Sequence, residues 1–233
     1  MIGQLELAPG MLALPSGALW LVEGGALLLA EAHLGYGWAE RHRGEPGPDF
    51  DGGAHRRLKT LVDELKPKVL VFLGDVMHRP LPSAEERAAV VDILNTLAKR
   101  TEVVIVRGAP DRAHSRDLRG LPARLAEEWR QNGAVAIHRD QPETPVPRGH
   151  TLVFGHLRPA ATIYDAAGAG RRLPAFLRSR RAIMLPAFSP FAGGVDVGRG
   201  VPAELRDLLG RGPVQVAVTT GRRVVTLKLL GGG

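Results

Sequence analysis

Four apolar runs mark the chain, and each gives way to a glycine-bearing loop that carries polar side chains. Ala26-Leu27-Leu28-Leu29-Ala30 leads into Glu31-Ala32-His33-Leu34-Gly35, and Val69-Leu70-Val71-Phe72-Leu73 leads into Gly74-Asp75. Val103-Val104-Ile105-Val106 runs into Arg107-Gly108-Ala109-Pro110-Asp111, and Leu152-Val153-Phe154 into Gly155-His156-Leu157-Arg158. Short unbroken apolar runs read as strands covered on both faces, and the loops at such strand ends are where sites assemble in layered α/β folds. Glu31 and His33, two apart, point to the same side of an extended chain, so a carboxylate and an imidazole share a face.

Between the runs the period changes. Leu58, Leu61, Val62 and Leu65 recur at helical spacing and predict a surface helix over 54–65, stopped by Pro67. Ser83 with Glu86 three residues later is a capping box opening a helix that runs to about Lys99. A further helix is expected from about Leu121 to Arg130, followed by a short strand over Ala134 to His138. Strands alternating with helices imply right-handed crossovers and a largely parallel sheet. Before these units, Gln4 to Leu14 and Ala18 to Glu23 read as a pair of edge strands. The stretches 37–53 and 141–149 read as polar loops, and Ala161 to Gly170 as a small, flexible segment. A strand over Ala182 to Leu185, a helix opened by Pro202, and a hairpin about Thr220-Gly221-Arg222 complete the prediction. With 233 residues and no internal repeat, residues 1–233 are expected to form one domain.

The composition is that of a soluble globular protein, 44% hydrophobic and 24% charged. No stretch approaches the roughly 20 apolar residues of a membrane span, and Met1 to Leu14 lacks a secretory pattern, so a cytoplasmic location is the expectation. Cysteine is absent, which leaves His, Asp, Glu, Asn and backbone oxygen as the donors available to a metal. The net charge of +7 permits attraction to nucleic acid or another phosphate-containing ligand, although the same arginine bias could follow from a GC-rich genome. Arg171, Arg172, Arg178, Arg180 and Arg181 are the candidate phosphate contacts. Phe176 is the single aromatic residue among them, too little for a base-stacking platform, so phosphate contact is expected ahead of base reading.

Taken in order, Glu31-Ala-His33, Gly74-Asp75, Gly108-Ala-Pro-Asp111 and Gly155-His156-Leu-Arg158 resemble the signature of the calcineurin-like metallophosphoesterases: Asp-x-His, Gly-Asp, Gly-Asn-His-Asp/Glu and Gly-His-x-His. Within that superfamily the chain is most similar to the ligase-associated, DNA-damage-response phosphoesterases. The residues carrying that likeness are Gly74-Asp75-Val76-Met77-His78, Leu185-Pro186-Ala187-Phe188 and the Gly193-Gly194 pair. The resemblance implies an α/β fold, a four-layer αββα sandwich of two mixed sheets, and hydrolysis of phosphoesters, possible substrates being nucleic acids in DNA repair. In active relatives two divalent ions, often manganese, are bridged by the Gly-Asp carboxylate.

Carried over residue by residue, the resemblance makes Glu31, His33, Asp75 and His156 the metal site or its remnant. Glu31 replaces an Asp, Ala109 an Asn ligand, Pro110 a His that assists the leaving group, and Arg158 a metal-binding His. Asp111 and His114 are candidate substitute ligands. A further ligand His falls in the family between the third and fourth motifs; His138 and His150 are the candidates for it, and both read as structural or exposed. His78 is placed near the mouth of the site. One divalent metal, preferably manganese, or none is therefore expected. Two readings stay open: a weakly active or inactive member that binds nucleic acid, nucleotide or a protein partner, and an active metal-dependent phosphodiesterase or nuclease. Arg158 is expected to pair with Glu31, Asp75 or both, since a guanidinium cannot ligate a cation.

Overall fold

Alternate residues of the strand Ala26–Ala30 face opposite layers. Leu28 and Ala30 enter one apolar cluster while Leu27 and Leu29 enter another, which is why this run is apolar at every position. The computed structural model describes residues 3–42, 50–78, 82–107, 118, 120–138, 145–190, 193–210 and 212–228.

The first sheet is seven-stranded, in the order β1 (Leu5–Ala8), β2 (Met11–Ala13), β3 (Leu19–Leu21), β4 (Ala26–Ala30), β5 (Val69–Leu73), β6 (Glu102–Val106) and β7 (Arg124–Ala126). Its first four strands form an antiparallel meander, whereas β4 to β7 are parallel. The second sheet has eight strands, drawn wholly from later in the chain: β8 (Trp129–Gln131), β9 (Ala134–Ala136), β10 (Thr151–Phe154), β11 (Ala160–Tyr164), β12 (Gly170–Arg178), β13 (Ala182–Met184), β14 (Gln215–Thr219) and β15 (Val224–Leu227). Its order is β15-β14-β12-β13-β10-β9-β8, with β11 paired to β12, and only β9, β10 and β13 run parallel.

Between the sheets lies one apolar layer in which Leu28, Val71, Leu73 and Val104 meet Trp129, Val153, Phe176 and Ile183. Emptying such a layer is expensive: truncating a buried Phe to Ala costs about 3–5 kcal/mol. Outside the first sheet, α2 (Phe50–Leu65) and α3 (Ala84–Ala98) pack Leu58, Val62, Val90 and Leu94 onto Leu27, Leu70 and Phe72. Outside the second, α4 (Ala203–Leu209) places Leu205 and Leu209 against Phe154, Leu177 and Met184. Helix, sheet, sheet and helix make the four-layer αββα sandwich of metallophosphoesterase type. The expected helix start at Ser83 is present, with its hydroxyl accepting from the Glu86 amide at 3.2 Å.

Several local expectations are corrected. The helix expected over Leu121 to Arg130 is instead β7 and β8. Leu125 joins the parallel ladder opposite Ile105, and Trp129 is buried opposite Ala136, so sheet pairing overrides the helical propensity of a Leu-Ala-Glu stretch. The polar region after Gly35 is not wholly loop, since α1 (Tyr36–His42) occupies its start and α2 begins at Phe50. Ala161 to Gly170 is a hairpin. β11 and β12 pair from Ala160↔Pro174 to Tyr164↔Gly170, and the Asp165 carboxylate closes the turn by accepting from the amides of Ala167 and Ala169, both at 2.9 Å. The N-terminal edge holds three strands rather than two.

Candidate metal centre

The ends of β4, β5 and β10 are tied together before any side chain is considered. Beyond β4, the His33 amide donates to Asp75 O at 3.0 Å and the Leu34 amide to Val76 O at 2.7 Å. From the second sheet, the amides of Phe188 and Ser189 donate to Ala30 O and Glu31 O at 2.8 and 3.0 Å, so the Leu-Pro-Ala-Phe segment is clamped beside Glu31. His156 N reaches His138 O at 3.3 Å, joining the ends of β9 and β10.

These ends are unusual in backbone conformation. Six non-glycine residues among those described have positive φ, and four lie here: Glu31 at 54°, His33 at 45°, Asp75 at 39° and Arg158 at 51°. Such conformations cost on the order of 1–3 kcal/mol each and persist where the surroundings over-determine them. Glu31 and His33 therefore do not meet through strand alternation, as expected from their spacing, but through two left-handed residues that fold one side chain back on the other. Two glycines make room. A Cβ on Gly74 would lie 2.1 Å from His138 Cδ2, and one on Gly194 would lie 1.7 Å from Arg158 O.

Glu31 is the hub, fully buried. His33 Nε2 lies 3.0 Å from its Oε2 and His138 Nε2 lies 2.9 Å from its Oε1. Arg158 Nε stands 3.1 Å from Oε2, and His156 Nδ1 is at ion-pair distance, 3.6 Å, from Oε1. Burial by itself raises the carboxyl pKa. The contacts with His138, His156 and His33 and the charge of Arg158 outweigh it, holding the group well below the usual carboxylate range. An ionised carboxylate only accepts, so His33 and His138 donate to it from Nε2.

Glu31, Asp75, His138 and His156 each place one ligand atom within 4.8 Å of the others. Two carboxylates and two imidazoles suit manganese, iron or zinc. Nδ1 of His138 and Nδ1 of His156 are buried without a hydrogen-bond partner, which leaves nitrogen donors for an ion to satisfy. The residues present therefore fit a divalent metal. The His138 and His156 rings pack edge to face at 4.8 Å.

Of the residues expected at the site, Glu31, His33, Asp75, His156 and Arg158 come together, and Arg158 pairs with Glu31. His78 packs against His33 and Tyr36, with ring centroids 5.7 and 4.7 Å away. Ala109, Pro110, Asp111 and His114 lie outside the described residues. His138, read from the sequence as structural or exposed, is buried, hydrogen-bonded to Glu31 and a member of the cluster; the signal was its place two residues after β9. The five arginines separate. Arg158, Arg171 and Arg172 line a cleft of about 350 Å³ beside the centre, while Arg180 and Arg181 line another of about 760 Å³ with Arg148 and His150. Because Arg171 and Arg172 lie at the start of β12 while Arg180 and Arg181 follow its end at Arg178, these clefts lie toward opposite ends of that strand.

Fold and cluster together define an αββα sandwich of the metallophosphoesterase type with a possible metal site at the strand ends. No protein-family profile matches the chain, and no curated protein does. Among solved structures, the crystal structure of Pseudomonas putida nuclease MPE is similar over 96% of this chain and 98% of that one, with a TM-score of 0.70 and 24% identity. At that identity the likeness establishes the shared fold. No helix among the described residues is long and apolar enough to cross a membrane.

Proposed function

We propose that this chain is a divalent-metal-dependent phosphoesterase acting on nucleic-acid phosphodiesters, akin to the ligase-associated DNA-damage-response phosphoesterases, with its centre reduced toward a single ion. The observation that carries this reading is the convergence of Glu31, Asp75, His138 and His156 within 4.8 Å. These four would hold the metal, which supplies Lewis acidity and lowers the pKa of a coordinated water. His33 orients Glu31 through the 3.0 Å contact with Oε2. Arg158 adds a permanent positive charge near the same oxygen, able to attract a phosphate. Asp75 and Arg158, held at positive φ, project into the centre from loops that hydrogen bonds across the strand ends fix in place.

The test is metal content by elemental analysis after incubation with manganese, together with hydrolysis of a chromogenic phosphodiester. Stoichiometric metal and manganese-dependent turnover are expected, both lost in Asp75→Asn and His138→Ala. A protein that retains no metal under excess manganese and hydrolyses no diester overturns the reading.

A second reading is favoured by one observation: the Glu31 carboxylate is already engaged by Arg158, His33 and His138, so the cluster is neutralised without an ion. The chain would then bind nucleic acid, nucleotide or a protein partner without hydrolysis. Combining Arg158→His, Glu31→Asp and Ala109→Asn separates the two. On this second reading the variant gains metal that the parent lacks, whereas on the first both are metallated.

A further inference from the structure

Arg57 is a half-buried cation at the wall of a cleft. It projects from α2, its guanidinium carbon 3.8 Å from the centroid of the Phe188 ring, and its Nη2 donates to Phe188 O. Its Nε is buried without a hydrogen-bond partner, and burial lowers its pKa to about 10. No carboxylate pairs with it among the described residues. A partly desolvated guanidinium, stacked on an aromatic face and facing a cleft with no carboxylate beside it, is placed to receive an anion.

The cleft of about 350 Å³ that Arg57 lines supplies the setting. Arg158, Arg171 and Arg172 line it too, and its described lining contains no acidic residue. It borders the cluster, because Arg158, which lines it, also contacts Glu31 and because Phe188 and Ser189, which line it too, are hydrogen-bonded alongside Ala30 and Glu31.

We propose that Arg57 is the anchor of a second phosphate subsite, which holds the phosphate neighbouring the one presented to the metal centre. The ligand is the phosphate of a polynucleotide strand, and the anion completes the charge balance of Arg57. The assignment rests on the phosphoester reading for its place in a substrate, but phosphate binding itself requires neither metal nor hydrolysis. Arg57 is a binding residue, removed from the reacting atoms by the Phe188–Ser189 segment.

Two measurements test it. In the first, thermal unfolding of the intact chain is followed with a chelator present while inorganic phosphate is added. Phosphate should raise the transition temperature of the parent and of Arg124→Gln, an exposed control, but not that of Arg57→Gln. A full rise in Arg57→Gln, or none in the parent, overturns the subsite even if the protein hydrolyses diesters. Should Arg57→Gln fail to fold, Arg57→Lys asks the same question: it loses the planar fork, and an undiminished phosphate-induced rise also overturns the proposal. In the second, turnover of a dinucleotide carrying one internal phosphate is compared with that of one bearing an additional terminal phosphate. The added phosphate should lower KM about tenfold in the parent. Arg57→Gln should erase that difference; a persisting difference overturns the subsite. A phosphate-dependent rise in a protein that hydrolyses neither dinucleotide leaves the subsite standing and removes the enzymatic reading instead.

Discussion

Glu31 couples the charge of the centre to the stability of the whole chain. Its folded pKa lies below the ordinary carboxylate value, so its contribution is present above the unfolded pKa of about 4.3 and is lost as pH falls from there toward the folded value. Wild-type protein should therefore lose stability between about pH 5 and about pH 2 more steeply than Glu31→Gln in denaturant titrations, and parallel curves would contradict the linkage. Arg158→Met keeps the apolar stem but leaves the buried carboxylate without its cation. With Arg158 itself partly exposed, a loss of about 2 kcal/mol is expected by chemical denaturation, between the limits for surface and buried pairs. At this scale the sequence was legible where the clustered residues sit in short local motifs, as with Glu31, His33, Asp75, His156 and Arg158. His138 was not, because its membership depends on register: β9 and β10 pair in parallel with Ala136 opposite Val153, which brings His138 opposite Gly155 and beside His156. No local pattern records that pairing.

Strand ends succeed as scaffolding here because neighbouring elements approach more closely than a side chain would permit. Gly74→Ala would set a methyl 2.1 Å from His138 Cδ2 at a φ of 64°, so it combines overlap with backbone strain. It should cost about 3 kcal/mol and weaken manganese retention. Gly10→Ala, with a φ of 70° and nothing within 4 Å, should cost only about 1 kcal/mol and leave metal retention unchanged. Thermal denaturation with metal analysis distinguishes the pair, and equal penalties would show that strain alone matters at Gly74. The central apolar strands and α3 were readable in advance, since continuous runs and a capping box are local signals. The β7 and β8 strands were not, because their three-residue segments are extended only through pairing with β6 and β9. The hairpin of β11 and β12 was hidden for a similar reason: its turn depends on the side chain of Asp165 within an otherwise featureless Ala-Gly stretch.

Across the whole molecule, the two sheets share one apolar layer, and neither has a private substitute for it on that face. A single unfolding transition, coincident by far-UV circular dichroism and Trp fluorescence, is the expected outcome; two separated transitions would divide the chain into independent units. The basic clefts are separated by much of β12, about 23 Å from Arg171 to Arg178 at the usual strand rise. If nucleic acid engages these arginines, its affinity should fall steeply with added salt, and a binding constant indifferent to salt would exclude phosphate contacts as its source. The division of strands between sheets also has a consequence in time. The first sheet is complete at Ala126, and its cover comes only from Trp129 onward. At about 5–20 residues per second, a ribosome would leave the inner face of that sheet bare for several seconds while the next hundred residues are made. For that interval the nascent chain carries an open apolar surface, making it a natural client for a chaperone.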